Sequence, residues 1–291
     1  MYGPGTRTSA RRATLMGEHV AHLRQPRLAE IIAAQLREDI LSGRLKEGDL
    51  LASQARLFDG YQVSPPVARE TLRILETEGL ISVRRGNVGG AIVHSPTPER
   101  AAQMIAMVLQ KRETSPQEVS IALRHLEPIC AGLCASREDR AETVVPVLRE
   151  LVEQQWESLE DMEAYLRLSR DFHSSIVSFC GNEPMIVVIG ALQAIWSAHD
   201  SLVWETIADG ADTEADPSAP LGRKTRRAAL RTHEKLVNEI EQGNSTKATS
   251  LAAAHLSASH TNTLQSSEHE TIRASLVSAA ALDVPKASPA R

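Results

Sequence analysis

The sequence predicts a mainly α-helical protein, in which an N-terminal winged helix-turn-helix with a small β-hairpin wing precedes a C-terminal all-α antiparallel helical bundle. Residues 63–93 read as a helix followed by two short runs of β-type residues with a glycine-rich turn between them. From residue 99 onward, apolar residues recur at helical spacing almost throughout. The aromatic fraction of 3% is typical of helices that pack on Leu, Ile, Val and Ala.

The first two helices are predicted from apolar spacing and from the glycines that end them. A stripe of apolar residues begins at residue 28 and closes at Gly43. Its members are Leu28, Ile31, Ile32, Leu36, Ile40 and Leu41. A shorter helix is predicted over about residues 53–59, before a turn at Gly60. With the helix that follows, these give the three helices of a helix-turn-helix unit.

The third helix and the wing come next in the chain. Ser64 is placed to accept a hydrogen bond from a free amide of the first turn, and the two prolines after it suit that turn because they lack amide hydrogens. Gly79 is placed to end the helix. Residues 81–84 alternate apolar and polar side chains, and 91–93 resume β-type residues after a turn around Gly86. This pattern predicts a hairpin with a basic, glycine-rich tip.

Residues 95–98 read as a linker, because each of their two prolines disfavours helical geometry in the residue before it. Beyond it, Ser115 and Glu118 match a capping box, which predicts the start of a long helix. The helices predicted for the bundle run over about 98–111, 116–136, 138–156, 159–180, 183–207, 222–242 and 245–265, with a loop over 209–220. We therefore expect a flexible basic arm over 1–26, a winged helix-turn-helix unit over 27–95, an all-helical unit over 96–266 and a disordered tail over 267–291.

Composition and charge exclude some classes of protein. The chain has no apolar run long enough to cross a bilayer and no signal-peptide core near its start, so we expect a soluble, cytoplasmic protein without a membrane partner. The net charge of −5 argues against a protein that coats nucleic acid over its whole surface. Residues 27–93 contain nine basic and nine acidic residues, so any DNA binding in this unit depends on where the basic residues lie.

The three cysteines are expected to be reduced thiols, since their number is odd and their spacing is not that of a disulfide framework. Cys130 and Cys134 lie one helical turn apart, which is compatible with a metal or redox site. Small buried side chains in an alanine-rich helix are the interpretation we favour.

Three histidines carry the strongest chemical signal in the predicted bundle. His173, His233 and His255 each lie on the apolar face of a different helix, so all three are expected to point into the bundle interior. One inward histidine is usually a hydrogen-bonded core residue. Three of them around one interior favour a site for a divalent metal such as Zn, Ni, Fe or Mn, where an open coordination position could take a small carboxylate.

The first unit resembles the DNA-binding domain of the GntR family of bacterial transcription regulators. The matching residues are Gly43, Gly48, Leu51, Ser53, Val63, Ser64, Arg69, Glu70, Leu72, Leu75, Glu78, Gly79, Leu80, Arg85 and Gly86. The resemblance implies DNA contacts from Arg56, Ser64, Arg69, Arg85 and Gly86. The family usually has arginine where this chain has Pro65, so an arginine that would read a base or bind phosphate is missing at this position.

Residues 99–265 resemble the all-helical FCD effector domain of the FadR branch of that family. The matching pieces are Arg124, Leu126-Glu127, Phe172-His173, Gly181-Asn182, His233, Gly243, Ala248 and His255-Leu256. The resemblance implies a metal held by one aspartate and three histidines, with the aspartate one turn before the first histidine.

Ser169 occupies that aspartate position in this chain, and we expect it to weaken the metal site. Asp171 is two residues from His173, a rotation of about 200° along a helix, so it cannot take over. Water or an effector carboxylate could complete the coordination, or the histidines could bind effector without metal. Arg124 and Ser169 are the candidate effector-binding residues, since a guanidinium matches a carboxylate with two hydrogen bonds. The alternative for Arg124 is an ion pair with a neighbouring acid.

The leading hypothesis is a ligand-responsive transcriptional regulator, a repressor, that binds a palindromic double-stranded DNA operator as a homodimer and responds to a small organic acid. A metal-dependent enzyme using the three histidines is the second hypothesis. We do not favour it, because Asp171 and Glu234 are both expected to face outward and leave no general base. An architectural DNA binder without an effector is the third, and inward-pointing histidines argue against it.

Overall fold

A computed structural model describes residues 27–51, 63–84, 90–210, 222–264 and 271–277. The chain divides into two compact units, Met1–Ser95 and Pro96–Arg291, and each is described by itself. The predicted arm over 1–26 and the predicted helix over 53–59 lie outside the described residues.

The first unit contains two described helices and a three-stranded antiparallel sheet. Its elements in chain order are α1 (Leu28–Leu41), β1 (Leu50–Leu51), α2 (Pro65–Thr77), β2 (Ile81–Arg84) and β3 (Gly90–Val93). The strand order is β1-β3-β2, so β3 is central and pairs with both neighbours. The predicted hairpin is therefore β2 and β3, and the sequence missed only the short edge strand β1, which has too few residues to show an alternating pattern.

The core of this unit fixes α2 against α1 and the sheet. Leu72 and Leu75 of α2 are buried together with Ile32 and Leu36 of α1. Thr71, also buried, donates its hydroxyl to the carbonyl oxygens of Val67 and Ala29, and so ties the two helices together.

An ion pair outside this core also joins the two helices. Arg37 Nε donates to Glu78 Oε2 at 2.8 Å, and the same two side chains form a second bond. Since α2 is held on its buried face, its opposite face is left to solvent.

The ends of α2 follow the sequence prediction in part. Ser64 is the residue before the helix, as predicted, but its side chain makes no capping hydrogen bond. Prolines in the first turn reduce the need for such a bond, because they remove amide donors that the helix leaves unpaired. At the other end Gly79 has φ +72°, a left-handed conformation that favours glycine and turns the chain into β2.

The described residues of the second unit are helical almost throughout, which confirms the predicted fold class. Its helices are α3 (Pro98–Lys111), α4 (Pro116–Ser136), α5 (Arg140–Thr143), α6 (Val145–Glu157), α7 (Met162–Ser178), α8 (Glu183–Gly210), α9 (Arg223–Glu241) and α10 (Ser245–Leu264). The helix predicted over 138–156 is split into α5 and α6 at Val144, and Pro146 lies in the first turn of α6. Helix α8 continues to Gly210, past the predicted end at 207.

Helix α4 is the central element of this unit, since it packs against α10 and also contacts α7, α8 and α9. The α4–α10 approach is close because Gly132 faces α10. A Cβ atom at this position would lie 2.3 Å from the hydroxyl oxygen of Thr249. The start of α4 has the predicted capping box, in which the Glu118 amide donates to Ser115 Oγ and the Ser115 amide donates to Glu118.

Residues 271–277, here called the C-terminal strap, pack against the bundle. Ile272 and Val277 are almost completely buried in its core. The amide of Ile272 donates to the carbonyl oxygen of Thr114, and the amide of Arg273 donates to His199 Nε2. This packing differs from the disordered tail expected over 267–291, because two apolar residues in a short segment give no periodic signal. None of the described helices is both long and apolar enough to span a bilayer.

Candidate metal centre

Three helices of the second unit bring three imidazole rings together. His173 lies on α7, His233 on α9 and His255 on α10. His233 is fully buried, His255 is nearly so, and His173 is partly exposed. The apolar stripes of the helices turn these histidines inward, and Phe172 stacks on the His233 ring at a centroid distance of 4.1 Å. The structure therefore brings together the histidines that the sequence predicts to share one interior site.

The rings meet through their Nε2 atoms. His233 Nε2 lies 2.9 Å from His255 Nε2, which lies 3.3 Å from His173 Nε2. One ligand atom from each histidine falls within 4.8 Å of those of the other two. In a tetrahedral zinc site with metal–nitrogen bonds near 2.0–2.1 Å, neighbouring nitrogens are about 3.3 Å apart. The donor set and its spacing thus fit a divalent transition metal.

The orientation of the His173 ring is fixed by an acidic residue from α4. Nδ1 of His173 donates to Glu127 Oε1 at 2.7 Å, and the other carboxylate oxygen accepts from Gln193 Nε2 at 2.9 Å. Glu127 is buried. Because a carboxylate only accepts hydrogen bonds, the His173 proton lies on Nδ1 and the Nε2 lone pair is bare.

The His233 ring is held in the same way by an amide. Gln155 Oε1 lies 3.0 Å from His233 Nδ1, and Gln155 Nε2 donates to the carbonyl oxygen of Leu151. That second bond sets which end of the amide faces the ring, so Nδ1 of His233 is the donor. Two of the three converging nitrogens therefore present lone pairs, as metal ligands must.

Burial keeps the rings of His233 and His255 neutral. It lowers the pKa of His233 well below the usual 6.5, and the neighbouring charges of His255 and His173 lower it further. Burial also lowers the pKa of His255 to about 3, with His173 as the next cause. A neutral imidazole is the form that binds metal, so this environment favours the binding-competent state at neutral pH.

Acidic residues of α7 do not complete the donor set. Ser169, half-buried, precedes His173 by one turn, where a hydroxyl is a weak ligand. Asp171 is about half-exposed and lies 3.8 Å from Arg167, which agrees with the predicted outward orientation. Burial raises the pKa of the Asp171 carboxyl, and the nearby arginines oppose that shift. Among the described residues, the group that could hold a metal contains only the three histidines.

A second polar cluster lies next to the histidines, between α4, α8 and α10. The Nδ1 atom of His260 lies 3.0 Å from Ser120 Oγ, and its ring packs on Trp196 at a centroid distance of 4.4 Å. Burial lowers the pKa of His260 to about 4. Of the smaller effects, the Glu127 charge raises this pKa, whereas the charges of His173 and Arg124 lower it. His260 therefore lies near both the histidine site and the Arg124 guanidinium.

Arg124 is half-buried, one turn after Ser120 on α4. Its Nε is fully buried and has no hydrogen-bond partner among the described residues. None of the ion pairs that these residues form includes Arg124, so the alternative of a neighbouring acid has no support here. The guanidinium is thus available to an anion.

The cysteines are part of the packing. Cys130, Cys134 and Cys180 are free thiols buried in the bundle core. Burial raises the pKa of Cys134 to about 12 and that of Cys130 further still, so both remain protonated. A protonated, buried thiol is a poor metal ligand and a poor nucleophile, which supports the packing interpretation.

Of the residues predicted to contact DNA, Ser64 and Arg69 are described. Both are exposed at the start of α2, and Arg69 forms no ion pair with the described acids. Arg56, Arg85 and Gly86 lie outside the described residues. The face of α2 opposite its buried side therefore carries a basic side chain free to reach a ligand.

Comparison with known proteins decides the family. A model described as bacterial regulatory proteins, gntR family, matches residues 28–89, and the FCD domain model matches residues 118–258. The chain belongs to the GntR family, with a C-terminal FCD domain. It is a DNA-binding transcriptional regulator and not an enzyme.

Several GntR-type regulators are similar to this chain. The transcriptional regulator LutR of Bacillus subtilis is 26% identical over 218 residues, which cover 75% of this chain and 92% of LutR. Mce2R of Mycobacterium tuberculosis is 25% identical over 190 residues, or 64% of this chain and 78% of Mce2R. The transcriptional repressor NanR of Klebsiella aerogenes is 24% identical over 165 residues, or 55% of this chain and 61% of NanR. Streptococcus agalactiae GntR shares the fold, with a TM-score of 0.57, 20% identity and coverage of 79% of this chain and 98% of that one.

Sequence reasoning missed the residues that hold the histidines of this GntR-family regulator. Glu127 belongs to the Leu126-Glu127 motif and follows Arg124 by three residues on the same helix, but the motif does not indicate that it contacts a histidine. Gln155 continues the buried stripe of Leu148 and Val152 at helical spacing, a signal that could have placed it inside. His260 follows the buried Leu256 by four residues and could have been found in the same way.

Proposed function

We propose that this chain is a ligand-responsive repressor that binds a palindromic operator as a homodimer. In this proposal, residues 27–95 bind DNA and residues 96–266 bind the effector and form the dimer. The similarity to NanR, which is named a repressor, supports repression over activation. A twofold-symmetric pair of DNA-binding units would match a palindromic site.

In the DNA-binding unit, we assign base contact in the major groove to Arg69. It is exposed on α2, whose buried face is fixed by Leu72, Leu75 and Thr71. Such a rigid helix can hold an arginine in register with base edges. Ser64 would contact the backbone at the start of the helix, Arg56 would contact phosphate, and Arg85 with Gly86 would reach the minor groove from the wing.

In the effector unit, His173, His233 and His255 would hold a divalent metal such as Zn, Ni, Fe or Mn. The observation that carries this assignment is the convergence of three Nε2 atoms, two of them with bare lone pairs fixed by Glu127 and Gln155. The bare lone pairs of His233 and His173 both face His255 Nε2, at 2.9 and 3.3 Å, so a metal ion among the three nitrogens would accept electron pairs from all of them. A bound metal supplies an open coordination position for a carboxylate, and Ser169 weakens the site because it adds no charge.

The effector would be a small carboxylate that contacts Arg124 and Ser169. Arg124 presents a partly buried guanidinium that no described acid neutralises, which favours an anionic ligand. An effector that binds one arrangement of the helices better than another shifts the population between them. Repression would end when the favoured arrangement no longer fits the spacing of the two half-sites.

Three measurements on the full-length protein test this function. In vitro selection from a random DNA library should yield a twofold-symmetric consensus, because a homodimer reads both half-sites alike. Light scattering should give the mass of a dimer. Elemental analysis of the purified protein should find about one divalent metal per chain. A monomer that selects no DNA sequence, or a metal-free protein that takes up none of the four ions, contradicts the corresponding part of the proposal.

A further inference from the structure

The net charge of the histidine site and its neighbours points to a particular class of effector. This inference rests on the proposed metal and effector site and specifies the ligand. The ligand atoms at the site are three imidazole nitrogens, and the described residues add no carboxylate or thiolate to that group. A divalent cation bound there would therefore keep its full charge of two, in a place where His233 and His255 are buried. Burying an uncompensated charge is unfavourable, so a ligand that brings negative charge to the site is favoured.

One negative charge is already present beside the site. Glu127 is buried, and its two oxygens are bonded to His173 and Gln193. It offsets one of the positive charges. Arg124 adds another positive charge from the same helix, and its buried Nε has no partner among the described residues. With a divalent cation bound, the site and Arg124 together are left with two positive charges.

These two charges lie close together. Arg124 precedes Glu127 by three residues on α4, which is about 4.5 Å of helix rise, and Glu127 contacts a metal-site histidine. Ser120, one turn before Arg124, is hydrogen-bonded to Nδ1 of His260, and the His260 ring packs on Trp196. A ligand that spans from the histidines to Arg124 is therefore short.

We propose that the effector is a short dicarboxylate, with one carboxylate directed at the three-histidine site and the other at Arg124. Its two negative charges balance the two positive charges left in this buried region. A monocarboxylate leaves one of them uncompensated. Arg124 is thus the residue that selects for the second carboxylate, and Ser169 is the position whose neutral side chain creates the need for it.

The test compares dicarboxylates with their monoamides, which have nearly the same size and shape and one charge less. Isothermal titration calorimetry is carried out on the full-length protein loaded with Zn²⁺, using malonate, succinate and glutarate, each against its monoamide. Hydrogen bonds to charged groups contribute about 1.5–3 kcal/mol, so the best dicarboxylate should bind about 10- to 100-fold more tightly than its monoamide. If no pair differs by more than about threefold, or if no acid binds at all, the inference is wrong.

Substitutions then test whether Arg124 is responsible for the preference for dicarboxylates. In Arg124→Gln the affinities for the dicarboxylate and its monoamide should differ by no more than about threefold. In Arg124→Lys the affinity ratio should be intermediate, because lysine keeps the positive charge but lacks the planar guanidinium that can donate two parallel hydrogen bonds. Arg231→Gln, at an exposed position of α9, should keep the wild-type ratio. Ser169→Asp should retain Zn²⁺ more tightly and reduce the ratio, because the new carboxylate neutralises one charge. A ratio that Arg124→Gln leaves unchanged overturns the assignment.

These results can be separated from a failure of the proposed function. Zn²⁺ stoichiometry and binding to the selected DNA are measured on the same preparations, and circular dichroism confirms that each variant is folded. Intact metal and DNA binding without a dicarboxylate preference refutes only the ligand class. Absence of bound metal in the wild-type protein refutes the metal part of the proposed function and the dicarboxylate inference with it.

Discussion

The Nε2 atoms of His233 and His255 lie 2.9 Å apart, and both rings are buried. Gln155 holds the proton of His233 on the far side of its ring, so the near side of that ring is a lone pair. Two neutral rings at this distance form a hydrogen bond when His255 donates its Nε2 proton to that lone pair. A metal ion that replaces this proton would bind both nitrogens, and five predictions follow from this contact and from the rest of the fold.

Removing one imidazole should remove the metal. In His233→Ala, two nitrogens remain, and we expect metal affinity to fall by at least about 100-fold because the donor set is no longer complete. Elemental analysis after dialysis against a weak chelator measures this. His125→Ala, at an exposed position of α4, is the matched control and should keep wild-type metal content. Metal retained by His233→Ala would remove that residue from the site.

Glu127 should act on the metal through His173. In Glu127→Gln the amide can still occupy the space, but the negative charge that fixes the Nδ1 proton is gone. Loss of such an outer partner typically lowers metal affinity by about 10- to 100-fold. Competition with a fluorescent chelator gives the affinity, and Glu153→Gln on α6 serves as the exposed control. Equal affinities for wild type and Glu127→Gln would show that the hydrogen bond has no influence on binding.

The metal-free protein should lose stability as pH falls below about 6.5. The folded-state pKa values of His255 and His260 are lowered to about 3 and about 4, and that of His233 is also lowered, so the unfolded chain binds more protons in this range. The free energy of unfolding is therefore highest above pH 6.5, the pKa of histidine in the unfolded chain, and it decreases as the pH falls toward 4 and 3. The titration of His260 alone should account for a loss on the order of 3 kcal/mol in the free energy of unfolding.

Urea denaturation at a series of pH values measures this loss. His260→Gln should show a shallower decline between pH 6.5 and 4 than the wild-type protein, because one of the titrating groups is absent. A free energy of unfolding that stays constant over this range would contradict the neutral, buried state of these rings.

Arg69 should be needed for DNA binding and not for folding. Arg69→Ala should weaken binding to the selected DNA by about 1–3 kcal/mol, which is roughly 5- to 150-fold, through loss of a base contact. Its melting temperature should stay close to wild type, since the side chain is exposed and unpaired among the described residues. Arg73→Ala, one turn further along α2, is the control with a smaller expected effect. Fluorescence anisotropy measures both, and unchanged affinity in Arg69→Ala would refute the assignment.

The C-terminal strap should contribute to the stability of the bundle. Ile272→Asp places a charge in a fully buried position and should destabilise the protein by at least about 3 kcal/mol. Thr271→Asp, at the exposed neighbouring residue, should change stability by less than about 0.5 kcal/mol. Urea denaturation compares the two, and equal midpoints would mean that the strap is not part of the cooperative fold.

The sequence predicted those features that repeat along a helix. The stripes that carry His173, His233 and His255 continue over several turns, so the direction of each ring followed from its spacing alone. The stripe through Leu72 and Leu75 gave the buried face of α2 in the same way. Such patterns can be recognised without knowledge of tertiary contacts, because they reflect one face of one helix.

Features that depend on contacts between distant residues were not predictable in this way. Glu127 reaches His173 across 46 positions of sequence, and Gln155 reaches His233 across 78. Helical spacing could place Gln155 on a buried face, but nothing local identifies the histidine that each of these side chains contacts. The break between α5 and α6 had a local cause in Pro146, but the helical pattern on both sides outweighed it. The strap was missed because its anchoring is tertiary.

The position of the strap near the end of the chain also determines the order in which the two units can fold during translation. Residues 271–277 are translated after every other described element, yet Ile272 and Val277 belong to the core that α4 and α8 share. The DNA-binding unit, complete by residue 95, has its own core and can form while translation continues. Nascent chains therefore acquire a DNA-reading unit well before the sensing unit that is proposed to govern it has closed its interior.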